Sequence, residues 1–325
     1  MPTPEYQILI FGYRAIRLIA IPEHRTLYLR MVEMAIKWIF FDIGDVLFDE
    51  DPQHIYYLHS LLLALRRNGI DVSWDEYHAR VQAFVRARPT TAIVDAAHFY
   101  VPDDALWLKI YHEGREAYEQ MRKPRPYGML LNDIMTVIRD LHCDFRLGIV
   151  ANQHPPIMDA IRDYGMLPYF DVIAIDEIIG VSKPDPAIFR WALDKAGCSP
   201  EEAIGVGDRP DHDTAPCRAL GMFTVRFRRG MLYSICDAQG EQERADVVVY
   251  EPIRLAPAIR QLAQTIATQG QEQVKRHEWR NVKVIEGQDC ANRPSNSEEA
   301  RQQRAQAEAQ RHQRVNVPGA NTGGS

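Results

Sequence analysis

From residue 145 onward the chain alternates short apolar runs with amphipathic stretches, and few architectures satisfy that pattern. FRLGIVAN, FDVIAID, AIGVGD, MFTVRF and DVVVY read as strands, while PIMDAIRDYG, DPAIFRWALDKAG, TAPCRALG and IRLAPAIRQLAQTIA read as helices between and after them. Runs that are apolar throughout, rather than alternating with polar residues, belong to strands covered on both faces, as in a parallel sheet flanked by helices. An α/β domain is therefore predicted, closing near residue 268.

Its first strand lies far upstream. Residues 36–46, IKWIFFDIGDV, hold a run rich in Ile, Phe and Trp that ends on Asp42, with a glycine and a turn just after it. In an open α/β sheet the carboxyl ends of the strands are where ligands bind, so an aspartate there is a candidate for chemistry. Taken alone, the stretch serves equally well for a helix-capping or turn aspartate.

Between the first strand and the rest, about residues 52–141, the periodicity is helical: IYYLHSLLLALRR, YHARVQAFVRA, LWLKIYHEGREAYEQM and MLLNDIMTVIRDL repeat apolar residues three and four apart. This predicts a helical insertion over the strand ends, with core segments at 35–51 and 142–268 and a cap at 52–141. His54, Tyr56, Tyr57 and Arg66 in it read as core or solvated face rather than ligands. Residues 1–34 read as a leader, with the fold beginning near Met34; the apolar stretch 7–21 carries Arg14 and Arg17 and is too short for a membrane span. Residues 269–325 turn polar, with almost no large apolar side chain beyond about 287, so a disordered tail is expected there.

Composition excludes more than it identifies. A net charge of −6 without a Lys/Arg block speaks against nucleic acid, though a small anionic substrate is compatible with a locally positive site. Cys143, Cys198, Cys217, Cys236 and Cys290 are an odd set with no C-x-x-C spacing, which signals neither a disulfide framework nor a zinc site and fits a reducing cytoplasm.

Three further stretches meet Asp42 if the strands are parallel. GIVAN ends a strand at Ala151 and Asn152, VSKPDP offers Lys183 before a helix start, and GVGDRPDHD ends a strand at Asp208 with Asp211 and Asp213 behind it. A carboxylate nucleophile, a lysine and a second acidic group are what a divalent cation and a phosphoryl group require. Carboxylates bind Mg²⁺ as hard oxygen ligands, and the ammonium balances charge.

With these four stretches in this order, residues 37–268 resemble the haloacid dehalogenase superfamily, most specifically in VSKPDPAIF (181–189) and VGDRPDHDTAPCRALGM (206–222). The resemblance implies a Rossmann-like three-layer core with an inserted helical cap, and a phosphatase of small phosphate esters working through an aspartyl-phosphate. It implies Asp42 as nucleophile, Lys183 as the charge-balancing lysine, Asn152 and Lys183 as phosphate contacts, and Asp42, the Gly44 carbonyl, Asp208 and Asp213 as Mg²⁺ ligands. Two positions depart from the pattern. Gly44 stands where the phosphatases carry a second aspartate as general acid and base, and Ala151 where they carry a hydroxyl. Losing the first costs typically about 10²–10⁴ in rate; losing the second costs about 1.5–3 kcal/mol. Asp45 is a minority candidate to replace the missing acid. The alternatives are a catalytically impaired member that binds a phosphorylated ligand or a protein, and, third, a dehalogenase, which leaves the Asp208 and Asp213 pair unexplained.

Overall fold

The computed structural model describes residues 36–88, 91–123 and 128–268, together with the backbone of Gln269 and of three strands upstream. Those strands, β1 (Ile8–Phe11), β2 (Arg14–Ile19) and β3 (Tyr28–Glu33), pair antiparallel with one another in a sheet of their own. The expected polar tail lies beyond the described residues.

The predicted first strand is β4 (Trp38–Phe41), and all four of its residues are buried. Side chains alternate across a strand, and here each face has its own cover. Ile39 and Phe41 join a cluster with α5 (Ile134–His142), α6 (Ile157–Asp163) and α10 (Pro252–Gln269). Trp38 and Phe40 join another with α8 (Ala187–Ala196) and α9 (Ala215–Leu220). This makes the three layers. The sheet also contains β7 (Arg146–Ala151), β8 (Val172–Ile175), β9 (Ala203–Gly207), β10 (Phe223–Phe227) and β11 (Val247–Val249), in the order β11-β10-β9-β4-β7-β8. Every neighbouring pair in it is parallel. A short helix, α7 (Asp176–Ile179), follows β8.

The helices inserted after β4 form a second packing unit with a narrow connection. Its helices are α1 (Asp51–Arg67), α2 (Trp74–Ala87), α3 (Ala92–His98) and α4 (Asp104–Arg122). Two of these four start on side-chain caps: Ser73 and Glu76 form a reciprocal capping box on α2, and the Asp103 side chain accepts the Leu106 N–H at 2.7 Å on α4. The chain enters through β5 (Phe48–Asp49) and leaves through β6 (Met129–Leu130), which pair antiparallel. Gly128 at φ +76° makes the return, and a Cβ there would stand 2.8 Å from the Asp49 carbonyl.

The expected cap boundary at residue 141 moves. Ile134, Val137, Ile138 and Leu141 of α5 bury against the sheet with Phe41 and Ile259, so this helix belongs to the core layer. Periodicity alone shows that a helix has an apolar face, not which neighbour covers it. Conversely, the connection after β10 reaches into the cap: Leu232 and Cys236 are buried with Leu61, Tyr77 and Val85. Arg88 pairs with Glu243 there, and Asp51 accepts the Met231 N–H at 2.6 Å. Among the described residues no helix is long and apolar enough to cross a membrane.

Candidate active site

Two adjacent parallel strands deliver the first acids. Asp42 follows β4 with its N–H still bonded to Val206 O of β9 at 2.8 Å, and Asp208 follows the last residue of β9 at the same edge. Chain order reverses here: after β4 the sheet grows through β7 and β8 on one side, then through β9, β10 and β11 on the other. A crevice at such a switch point is open to a ligand. The cavity there has a volume of about 270 Å³, and Asp42, Gly44, Asn152, Lys183, Asp208 and Asp213, all singled out in the sequence, line it.

Lys183 is the hinge of the group. Its ammonium lies 2.7 Å from Asp42 Oδ1 and 2.6 Å from Asp213 Oδ1, and the residue is only 5% exposed. Asn152 holds it there. The Asn152 carboxamide donates to the Lys183 carbonyl at 2.9 Å and accepts the Lys183 N–H at 2.8 Å. The side chain expected to touch phosphate is therefore engaged with the lysine backbone.

Asp213 is brought in by a π-helical turn, Pro210–Thr214, of the kind that often marks functional sites. Its second oxygen accepts the Arg209 N–H at 2.9 Å. Gly207 is what lets it approach, because a Cβ at 207 would lie 2.2 Å from the Asp213 carboxyl carbon. Asp211 turns instead to the Arg209 guanidinium, 2.7 Å away. Behind Asp208, the buried Arg226 side chain donates to the carbonyls of Asp208 (3.1 Å), Tyr233 (3.0 Å) and Cys236 (2.7 Å), tying the strand end to the connection that enters the cap.

The electrostatics follow from acids crowded out of water. Burial, only partly offset by Lys183, pushes Asp42 up to about 6. Burial and the neighbouring Asp213 and Asp42 push Asp208 well above the usual carboxylate range. Burial works against the Lys183 charge, but Asp213 and Asp42 outweigh it and hold the ammonium above its ordinary value. Oxygens of Asp42, Asp208 and Asp213 all lie within 4.8 Å of one another. Three carboxyl groups facing one ammonium make an oxygen-only donor set, which fits a hard divalent cation.

At the two departures from the motif pattern, Ala151 is the buried last residue of β7, paired with Ile175, and brings no hydroxyl. Gly44 does not have positive φ. The left-handed residue of this turn is Asp45, at φ 52°. Its buried carboxyl accepts the Glu50 N–H at 3.2 Å and faces Arg229 at 3.8 Å.

The sequence reading missed Glu50, His54, Gln153, Arg209, His212 and Tyr233, which also line the cavity. Burial and the nearby Asp42 charge push Glu50 up to about 7, while burial pulls His54 down to about 4. Gln153, directly after Asn152, and Arg209 and His212, which adjoin Asp208 and Asp213, carried a positional signal; Glu50, His54 and Tyr233 reach the cavity from elements whose orientation no local pattern fixes.

The model of the haloacid dehalogenase-like hydrolases matches residues 36–221 of the chain. A glyceraldehyde 3-phosphate phosphatase of Methanocaldococcus jannaschii is 36% identical over 230 residues, covering 66% of this chain and 97% of that protein. The protein of the same name from Methanopyrus kandleri is 28% identical over 249 residues, 70% of this chain and 99% of that one. A phosphoserine phosphatase of Thermus thermophilus is 25% identical over 228 residues, 60% of this chain and 90% of its own length. Among solved structures, a predicted phosphoglycolate phosphatase from Haemophilus somnus superposes with a TM-score of 0.53 at 17% identity, over 69% of this chain and 98% of that one, and so shares the fold.

Proposed function

Because this chain belongs to the haloacid dehalogenase-like hydrolase family, we propose that it is a Mg²⁺-dependent phosphatase of a small phosphorylated metabolite, working through an aspartyl-phosphate on Asp42. The observation that carries this reading is the Lys183 ammonium, buried between Asp42 and Asp213 beside Asp208. A lysine so placed holds the nucleophile's carboxylate in position and offers positive charge to the phosphoryl oxygens.

Asp42, Asp208, Asp213 and the Gly44 carbonyl would hold the cation, which supplies charge stabilisation to the phosphoryl group when bound. The chain's own residues do the rest. Asp42 attacks phosphorus from the end of β4, and Asn152 acts by fixing the Lys183 backbone. The names of the relatives, glyceraldehyde 3-phosphate and phosphoserine phosphatases, support a three-carbon phosphate ester, a size in keeping with the cavity of about 270 Å³. The cysteine pattern supports a cytoplasmic setting.

Gly44 and Ala151 favour a second reading, a member of the family that binds a phosphorylated ligand without turning it over. A panel of small phosphate esters, assayed with Mg²⁺ and with EDTA and with Asp42→Asn as the blank, separates the two. Mg²⁺-dependent phosphate release absent from the blank is expected. Ligand binding without release from any ester would favour the binding module.

A further inference from the structure

An aspartate at position 44 would have to share its place with a carboxyl already there. A Cβ built on Gly44 meets Glu50 Oε2 at 2.7 Å, Glu50 Cδ at 2.8 Å and Glu50 Oε1 at 2.9 Å, and nothing nearer. The structure assigns to Glu50 the proton transfers that Gly44 is unable to perform: the missing acid is supplied from the entrance of the cap rather than from the turn after the nucleophile. This assignment rests on the phosphatase reading above and concerns the same site.

Helix capping does not account for the placement of Glu50. Glu50 directly precedes α1, and its carboxyl makes no capping hydrogen bond. It turns into the cavity beside Asp42 and Lys183 instead. Gln153 Nε2 donates to Glu50 Oε1 at 2.9 Å, which fixes one oxygen, while Oε2 lies 3.9 Å from His54 Nε2. Asp45, the other candidate, is committed to the Glu50 N–H and to Arg229.

The chemistry closes. As an Asp42 oxygen bonds to phosphorus and the P–O bond to the ester alcohol breaks, the departing alkoxide takes the proton of the Glu50 carboxyl and leaves as the alcohol. Glu50, now a carboxylate, takes a proton from the water whose oxygen attacks phosphorus. The P–O bond to Asp42 then breaks, phosphate departs, and both carboxyls return to their starting states.

The test compares the unmodified chain, Glu50→Gln, Gly44→Asp/Glu50→Ala and Asp42→Asn on two esters in Mg²⁺. Glycerol phosphate has a poor leaving group that needs a proton; 4-nitrophenyl phosphate has a good one that does not. For Glu50→Gln, which keeps the size of the side chain, kcat/KM on glycerol phosphate should fall by about 10²–10⁴. Its loss on the nitrophenyl ester should be at least about tenfold smaller, with a burst of one nitrophenolate per site ahead of slow turnover. Gly44→Asp/Glu50→Ala, which moves the carboxyl back to the turn without the clash, should recover activity on glycerol phosphate relative to Glu50→Gln. Equal losses on the two esters, or none on either, would overturn the assignment while leaving the phosphatase reading intact. Hydrolysis of neither ester above the Asp42→Asn blank would overturn the phosphatase reading and the assignment with it.

Discussion

Gly207→Ala adds one methyl group, and the structure makes it a severe change. The new Cβ would lie 2.2 Å from Asp213 Cγ, 2.3 Å from its Cβ and 2.4 Å from Oδ2, all well inside contact distance. Asp213 has no easy retreat. Its oxygens are held by the Lys183 ammonium at 2.6 Å and the Arg209 N–H at 2.9 Å, within a turn where Pro210, Asp213 and Thr214 are buried. Forcing a methyl into such packing costs about 1–3 kcal/mol, and breaking one hydrogen bond to a charged group about 1.5–3 kcal/mol. Roughly 2.5–6 kcal/mol of stability should therefore be lost, read as a fall in the urea midpoint at unchanged m-value. Measured by calorimetry, the affinity for Mg²⁺ should also weaken, by about tenfold for each 1.4 kcal/mol of donor misplacement. Gly207→Ala/Asp213→Ala locates the cause, because the second substitution removes the atoms that collide and should make the pair markedly less unstable than the sum of the singles. A Gly207→Ala protein within about 0.5 kcal/mol of the unmodified chain, with unaltered Mg²⁺ affinity, would refute the reasoning.

Two other predictions follow from buried groups around the site. His54 is held neutral, its folded-state value pulled down to about 4 by burial against an ordinary 6.5, so its contribution to stability is complete above pH 6.5 and is lost as pH falls towards 4. On the order of 2–3 kcal/mol should disappear across that window, and His54→Gln should flatten the curve there; an unchanged pH–stability profile would count against it. Arg226→Met leaves three carbonyls without their donor, at about 1–3 kcal/mol for each that water does not reach, and should speed amide exchange across residues 231–237 as that connection loosens from Asp208. Unaltered exchange there would show that the guanidinium is not what holds the connection.

The parts of this fold that were legible in the sequence are those in which one segment decides its own role. WIFF is apolar on both faces, and each face found a helical layer. Asp42 and Asp208 were legible because strand ends in a parallel sheet must gather at one edge, and Lys183 and Asp213 because each stands just ahead of a helix that starts there, so order along the chain becomes proximity in space. What was not legible depends on a second element choosing where to go. The α5 stripe is equally consistent with a cap and with a core layer until Ile259 and Phe41 are seen against it. The segment after β10 reads as a loop, yet Leu232 and Cys236 complete the cap's interior and set Tyr233 over the cavity.

Position 44 shows how far this difference reaches into chemistry. Scanned locally, the motif lacks an acid, and the nearest substitute is Asp45, one residue away. Yet Asp45 has the left-handed backbone of the turn, at φ 52°, and its carboxyl goes to Arg229 and the Glu50 N–H. The carboxyl beside Gly44 comes from six residues further along, after the chain has passed through β5 and begun to climb into the cap. Glycine is then more than a loss at this position. A Cβ there would push the end of the Glu50 side chain out of its place, so Gly44→Asp made alone should displace one carboxyl as it adds the other. A functional group in a cavity is defined by where its atoms arrive, and a side chain entering from another element fills the place as well as one from the expected position.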